Sequence, residues 1–178
     1  MRILSFMNPV LSEFPLSRWP LLMAGFSLAM LLGAWGFQYI GHYEPCALCY
    51  DQRYIHMAVI ALGLATGGTL ILKPSLARFA SWPIFAVAAV LIYSAGFAGW
   101  HAGIEYDWWA GPASCTVGNI SNINVESVLS ALSGESHPPM CDEASWTLFG
   151  ISMAGYNAMI SAVMAGVSIF MGYRGLTA

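Results

Sequence analysis

Four long apolar stretches, at about 20–43, 50–72, 79–100 and 146–173, constrain this chain more than anything else in it. Each exceeds the roughly 20 apolar residues that a helix needs to cross the hydrocarbon core of a bilayer, where backbone groups must pair among themselves. Composition agrees, with 58% of residues hydrophobic and 8% charged, far from the balance of a water-soluble domain. The expected fold is an all-α membrane protein. It is a four-transmembrane-helix bundle, one integral membrane domain over 1–178, with two outer loops at about 44–49 and 101–145. Its surroundings are lipid, and no nucleic-acid partner is expected.

Lys and Arg near helix ends are retained on the cytoplasmic side. Arg2, Arg18, Lys73, Arg78 and Arg174 lie in the N-terminal tail, the link after the second stretch and the C-terminal end, which an even number of spans places together. Both termini are thus expected inside. Glu44, Glu105, Asp107, Glu126, Glu135, Asp142 and Glu143 all fall in the other two loops, expected outside. The first stretch is too long for a cleaved signal peptide. Glu44-Pro45-Cys46 after it offers neither a small-residue cleavage site nor a lipidation box, so it is expected to remain a span.

Between helices in lipid, small residues that let backbones approach are the useful packing device. Gly150, Ala154, Ala158, Ala162 and Gly166 recur every four residues and are expected to form a contact face, with Asn157 and Ser161 beside it as interhelical hydrogen-bonding groups. Trp100, Trp108 and Trp109 suit an interfacial aromatic belt. In the second outer loop Val125, Val128, Leu129 and Leu132 follow helical spacing, with Asn124 as cap and Glu126 in the first turn. This predicts a short amphipathic helix lying on the outer membrane interface.

All four cysteines, Cys46, Cys49, Cys115 and Cys141, fall in the outer loops, two in each. Cys46-Ala47-Leu48-Cys49 is a C-x-x-C unit preceded by Pro45, a residue suited to the first helical position, so Cys49 is expected in the first turn of the second span. Orphan amides and the positive dipole end favour a thiolate there. Arg53, one turn further, is the basic residue that topology does not explain, and a cation inside a span calls for a partner. A thiolate and a reduced quinone oxygen both provide one. No nicotinamide or flavin fingerprint is present to take electrons instead. A zinc site of four cysteines usually pairs two short knuckles, whereas only one C-x-x-C exists here, so no metal is expected. His42, His56, His101 and His137 show no ligand spacing and are expected to serve packing or the interface. From these residues two readings stay open: a redox relay, or a non-enzymatic membrane protein with structural disulfides or a cysteine metal site.

The run Cys46-Ala-Leu-Cys49-Tyr-Asp-Gln52-Arg53 resembles the C-x-L-C-x-x-Q-R signature of the disulfide bond formation protein B family, DsbB. Trp35-Gly-Phe-Gln38, the Gly111-Pro112-Ala-Ser-Cys115 approach and the lone Cys141 are also similar, so the resemblance covers essentially the whole chain. It implies an enzyme of the bacterial inner membrane with its cysteine loops in the periplasm. A DsbA-like thioredoxin-fold partner would attack Cys115, whose loop partner is Cys141. Cys141 is able in turn to pair with Cys46, leaving Cys49 as the thiolate against a quinone, ubiquinone or menaquinone, drawn from the membrane pool. Arg53 would support the quinone site and Gln38 line it or bond between helices. The basic cluster at the C-terminal end is weaker than in the family. Vitamin K epoxide reductase-like proteins share four spans and two cysteine pairs, but with the separated pair first.

Overall fold

The structure, a computed structural model, describes residues 15–112, 115 and 140–177. Four helices make up most of it: α1 (Trp19–Tyr39), α2 (Ala47–Leu72), α3 (Ser81–Glu105) and α4 (Met153–Thr177). Each is long and apolar enough to cross a membrane. The chain is a multi-pass membrane protein built as the expected four-helix bundle. The amphipathic helix expected around Val125 to Leu132 lies outside the described residues.

Prolines punctuate the helices. Pro20 stands in the first turn of α1, where a missing N–H leaves nothing unpaired. Pro74 ends α2 by pushing Lys73 out of the helical region to φ −127°, ψ 79°. A 3-10 turn over Pro74–Phe79 then leads into α3.

The last helix starts later than the apolar run that announces it. Thr147–Leu148 (β1) and Ile151–Ser152 (β2) pair as an antiparallel hairpin. Phe149 and Gly150 take φ of 51° and 75°, the pair of positive values that a two-residue hairpin loop demands. Tyr106 ties this hairpin to the end of α3, its hydroxyl donating to the Gly150 carbonyl at 2.9 Å and accepting from the Ser152 amide at 2.8 Å.

Gly150 therefore lies in a turn, and the four-residue stripe is not the contact face of α4. At 3.6 residues per turn a strict four-residue repeat drifts by about 40° per step. It accordingly winds from buried Ala154 to exposed Ala162 and Gly166. The buried face is Ala154, Asn157, Ser161, Ala165, Ser168 and Gly172, whose steps of three and four average to the helical period. Small polar groups bond across it: Ser94 Oγ and Ser161 Oγ stand 3.1 Å apart, and Trp19 Nε1 donates to Ser168 Oγ at 3.1 Å. Asn157 and Ser161 are interhelical hydrogen-bonding groups, as expected.

Close backbone approach occurs instead between α1 and α2. A Cβ at Gly63 would run into the Pro20 carbonyl oxygen and come within 2.9 Å of the Ala24 Cβ, and one at Gly67 would press on Leu21. Backbone cannot yield as a side chain does. Gly63→Ala is therefore expected to destabilise the bundle by about 1–3 kcal/mol. Gly68→Ala, whose new Cβ would meet nothing within 4 Å, should not. Thermal unfolding in detergent checks the pair, and equal stability of both variants would refute this account of the α1–α2 contact.

The larger of two buried clusters is apolar and gathers around Trp19, Met23, Val59, Ile84, Val87, Leu91, Met164 and Met171. Phe26, Leu32, Tyr54, Leu64 and Val163 point outward, where lipid replaces water as the neighbour. Helix α1 packs on α2, α2 on α3, and α3 most extensively on α4, whereas α1 and α4 scarcely meet. Between them runs a trough lined by Trp19, Leu22, Phe26, Ile160, Val163 and Val167.

Candidate thiol and cavity site

The cysteines gather where α2 begins. Pro45 precedes the helix cap instead of occupying the first helical position, so Cys46 itself is the cap and its sulfur accepts from the Cys49 amide at 3.3 Å. The Sγ atoms of Cys46 and Cys49 are 2.9 Å apart, and both cysteines are free thiols. Cys49 stands in the first turn of α2, as expected, but its amide is capped by the Cys46 sulfur, so the helix head acts on Cys46 as well.

Behind this pair stands a residue that sequence reasoning left to packing. His101, fully buried on α3, places Nε2 3.6 Å from Cys46 Sγ. Its Nδ1 accepts from Gln52 Nε2 at 2.7 Å, which leaves the ring proton on Nε2, facing the sulfur. Gln52 Oε1 accepts from Asn157 Nδ2 at 2.7 Å. Asn157 Oδ1 accepts from His56 Nε2 at 2.9 Å and from Ser161 Oγ at 3.1 Å, and His56 Nδ1 meets Ser27 Oγ at 3.3 Å. Four helices are thereby joined by one buried polar chain, which fixes the orientation of the imidazole beside the thiol.

These contacts hold the Cys46 thiol at about 5, well below the usual thiol range. The hydrogen bond with the Cys49 side chain is the largest cause; burial opposes it, and His101 and the Cys49 amide assist. Because the pKa is lowered, the thiolate fraction is already near its plateau at neutral pH. The alkylation rate of Cys46 in the dithiol protein is expected to be flat above roughly pH 6. Removing the largest cause with Cys49→Ala should move the profile to alkaline pH. Mass spectrometry of Cys46 after brief alkylation across pH measures both, and a wild-type profile still climbing beyond pH 8 would contradict the assignment.

Cys115 and Cys141 form a disulfide, both residues buried. The Cys115 amide donates to the Pro112 carbonyl at 2.8 Å and the Cys141 amide to the Cys115 carbonyl at 3.2 Å. This disulfide packs in one cluster with Cys46, Leu48 and Ile104, against which Cys49 and Phe97 also rest. All four cysteines, separated in sequence, are therefore neighbours.

On its other side Cys49 borders a cavity of about 400 Å³. Apolar residues of α1, among them Met30, Gly33 and Phe37, supply one wall, and Trp146, Met153 and Ile160 another. The polar residues that line it are Glu44, Gln52, Arg53, His56, Glu105, Ser145 and Asn157, with Tyr43 and Tyr156 beside them. Arg53 is 8% exposed, and its guanidinium bonds go to α1, to Gln38 Oε1 at 2.5 Å and to the Ala34 carbonyl at 3.4 Å. It also lies over the Tyr50 ring, 5.2 Å from the centroid. Arg53 and Cys49 thus share a cavity without bonding to each other. Gln38, on α1, makes an interhelical hydrogen bond with Arg53.

Glu105 and His101 are the site residues that sequence reasoning missed. The apolar run ends at Trp100, which left both in the outer loop, whereas α3 continues to Glu105 and carries them one helical turn apart. No curated protein and no solved structure matches the chain. The model of the family described as disulfide bond formation protein DsbB matches residues 17–171, a span that takes in both cysteine pairs and Arg53. The chain belongs to the DsbB family of disulfide-forming membrane proteins.

Proposed function

We propose that this protein is a quinone-dependent protein-dithiol oxidase, which re-oxidises a DsbA-like thioredoxin-fold partner and so generates disulfides. The observation that carries the proposal is that Cys49 and Arg53 border one cavity while Cys49 also rests on the cluster holding the second disulfide. The protein sits in the bacterial inner membrane as one domain, with both termini cytoplasmic and its cysteines on the periplasmic side.

Electrons enter through the loop. A partner thiolate attacks Cys115, the Cys115–Cys141 bond breaks and Cys141 leaves as a thiolate; the partner's second thiol then displaces Cys115 and departs oxidised. With Cys46–Cys49 as a disulfide, Cys141 attacks Cys46 and expels Cys49. Cys115 next attacks Cys141 and releases Cys46, which restores the loop disulfide and leaves a dithiol on α2. That is the pattern of bonds in the structure. The low thiol pKa of Cys46 makes it a good leaving group for this last step.

The residues around the cavity fit a quinone. Most of its wall surface is apolar, and the trough between α1 and α4 borders the same Ile160 and extends toward the other membrane face. A flat head with a long apolar tail matches that shape. When bound, a quinone, ubiquinone or menaquinone, supplies the two-electron, two-proton acceptor that closes the cycle. Arg53 holds a positive charge where negative charge develops, and Gln38 keeps the guanidinium oriented. Purified protein given a reduced thioredoxin-fold partner should reduce one quinone for each partner dithiol oxidised. No turnover with either quinone rejects the proposal.

A further inference from the structure

The two free thiols face donors that thiol exchange does not require. Cys46 Sγ, Cys49 Sγ and a ring nitrogen of His101 all lie within 4.8 Å of one another. Around a tetrahedral zinc ion, with Zn–S near 2.3 Å and Zn–N near 2.0 Å, adjacent donors stand roughly 3.5 Å apart. The 3.6 Å between Cys46 Sγ and His101 Nε2 already meets this. The sulfurs, 2.9 Å apart, must open to about 3.8 Å, a change that side-chain rotation at the helix cap supplies.

A further donor stands beside this compact three. Glu105 follows His101 by one turn, its Oε1 3.9 Å from His101 Nε2 and its side chain 6% exposed. Its Oε2 is buried without a hydrogen-bond partner. An unsatisfied buried carboxylate oxygen is costly, and a cation beside it removes that cost.

We propose that the dithiol form of Cys46 and Cys49, together with His101 and Glu105, binds a thiophilic divalent ion of the zinc class. Two thiol groups become thiolates and release their protons as the ion enters. The two anionic sulfurs balance the ion, so it is not an isolated buried charge, and an ionised Glu105 leaves the centre with one net negative charge. Oxidation closes the site, because in a Cys46–Cys49 disulfide neither sulfur remains a thiolate ligand. Conversely, sulfurs held by the ion cannot form that bond until it leaves.

Gln52 is the positioning residue. His101 offers the Nε2 lone pair only when its proton moves to Nδ1, where Gln52 Nε2 now donates. Turning the amides of Gln52 and Asn157 together puts a carbonyl oxygen on that proton and preserves the bond between them. A carboxylate at position 52 would accept the proton without rearrangement, as in carboxylate–histidine–zinc arrangements.

The test uses the full chain in detergent with Cys115→Ser and Cys141→Ser, so that the thiols of α2 are the only ones. Cadmium is followed by thiolate-to-metal absorption and zinc by competition with a coloured chelator. One ion per chain should bind the dithiol form and none the oxidised form. His101→Ala should weaken binding by about tenfold or more, and Gln52→Glu should tighten it. X-ray absorption of the zinc-loaded parent should show imidazole nitrogen beside two sulfurs. Binding that survives oxidation, or a metal shell without imidazole, overturns the proposal whether or not the variants fold. Neither result bears on the quinone reading, since no acceptor is present.

Discussion

Replacing Cys49 with alanine is expected to abolish quinone reduction while the partner still forms a mixed disulfide at Cys115. Without Cys49 the head of α2 cannot form its own disulfide, and the sulfur that borders both the cysteine cluster and the cavity is gone. Groups that act as a unit lose nearly everything when one is removed, so the rate of quinone reduction should fall by at least about 10³-fold. The ultraviolet absorbance of the quinone measures the loss, and a gel under non-reducing conditions shows the trapped partner. Turnover close to wild type would remove Cys49 from the exit of the relay. The loop disulfide, tied through backbone bonds to Pro112 and between its own cysteines, should form normally in this variant.

Arg53→Ala should act on the other substrate. The guanidinium reaches the cavity but no cysteine, so its loss is expected to lower kcat/KM for quinone by about 10²-fold, the scale of one preorganised electrostatic donor. The KM for the partner should stay within about twofold, since no interaction of the loop disulfide is removed. Arg53→Lys should recover only part of the loss, because a single ammonium cannot reproduce a planar group bonded to both Gln38 and the Ala34 carbonyl. Gln38→Leu should fall between, since the charge remains but its orientation does not. Equal losses for both substrates would mean that Arg53 supports the fold rather than the acceptor site.

How much of this could be read from residue order depends on the kind of signal. The four spans were plain, because lipid demands an uninterrupted apolar run and nothing else in the chain imitates one. Arg53 was equally plain as the one basic residue in such a run. The hairpin before α4 was not, because Thr147 to Ser152 is as apolar as the helix it precedes and hydropathy carries no φ angles. The small-residue stripe misled for a geometric reason, since spacing by four fits a helix locally but drifts over several turns. Gly63 and Gly67, which do bring two backbones together, show that such contacts depend on what lies opposite. His101 was hidden because the apolar run stops at Trp100, and an imidazole at a loop edge has an ordinary packing or interfacial explanation. Only its position level with Cys46, a fact of tertiary structure, makes it part of the site.

The scant contact between α1 and α4 has a kinetic consequence. An acceptor that enters sideways through that seam arrives by diffusion in two dimensions, so its effective supply is a mole fraction in the lipid rather than a concentration in water. Turnover should then follow membrane fluidity and the oxidised share of the pool. A stiffer bilayer would slow disulfide formation even with every protein group unchanged.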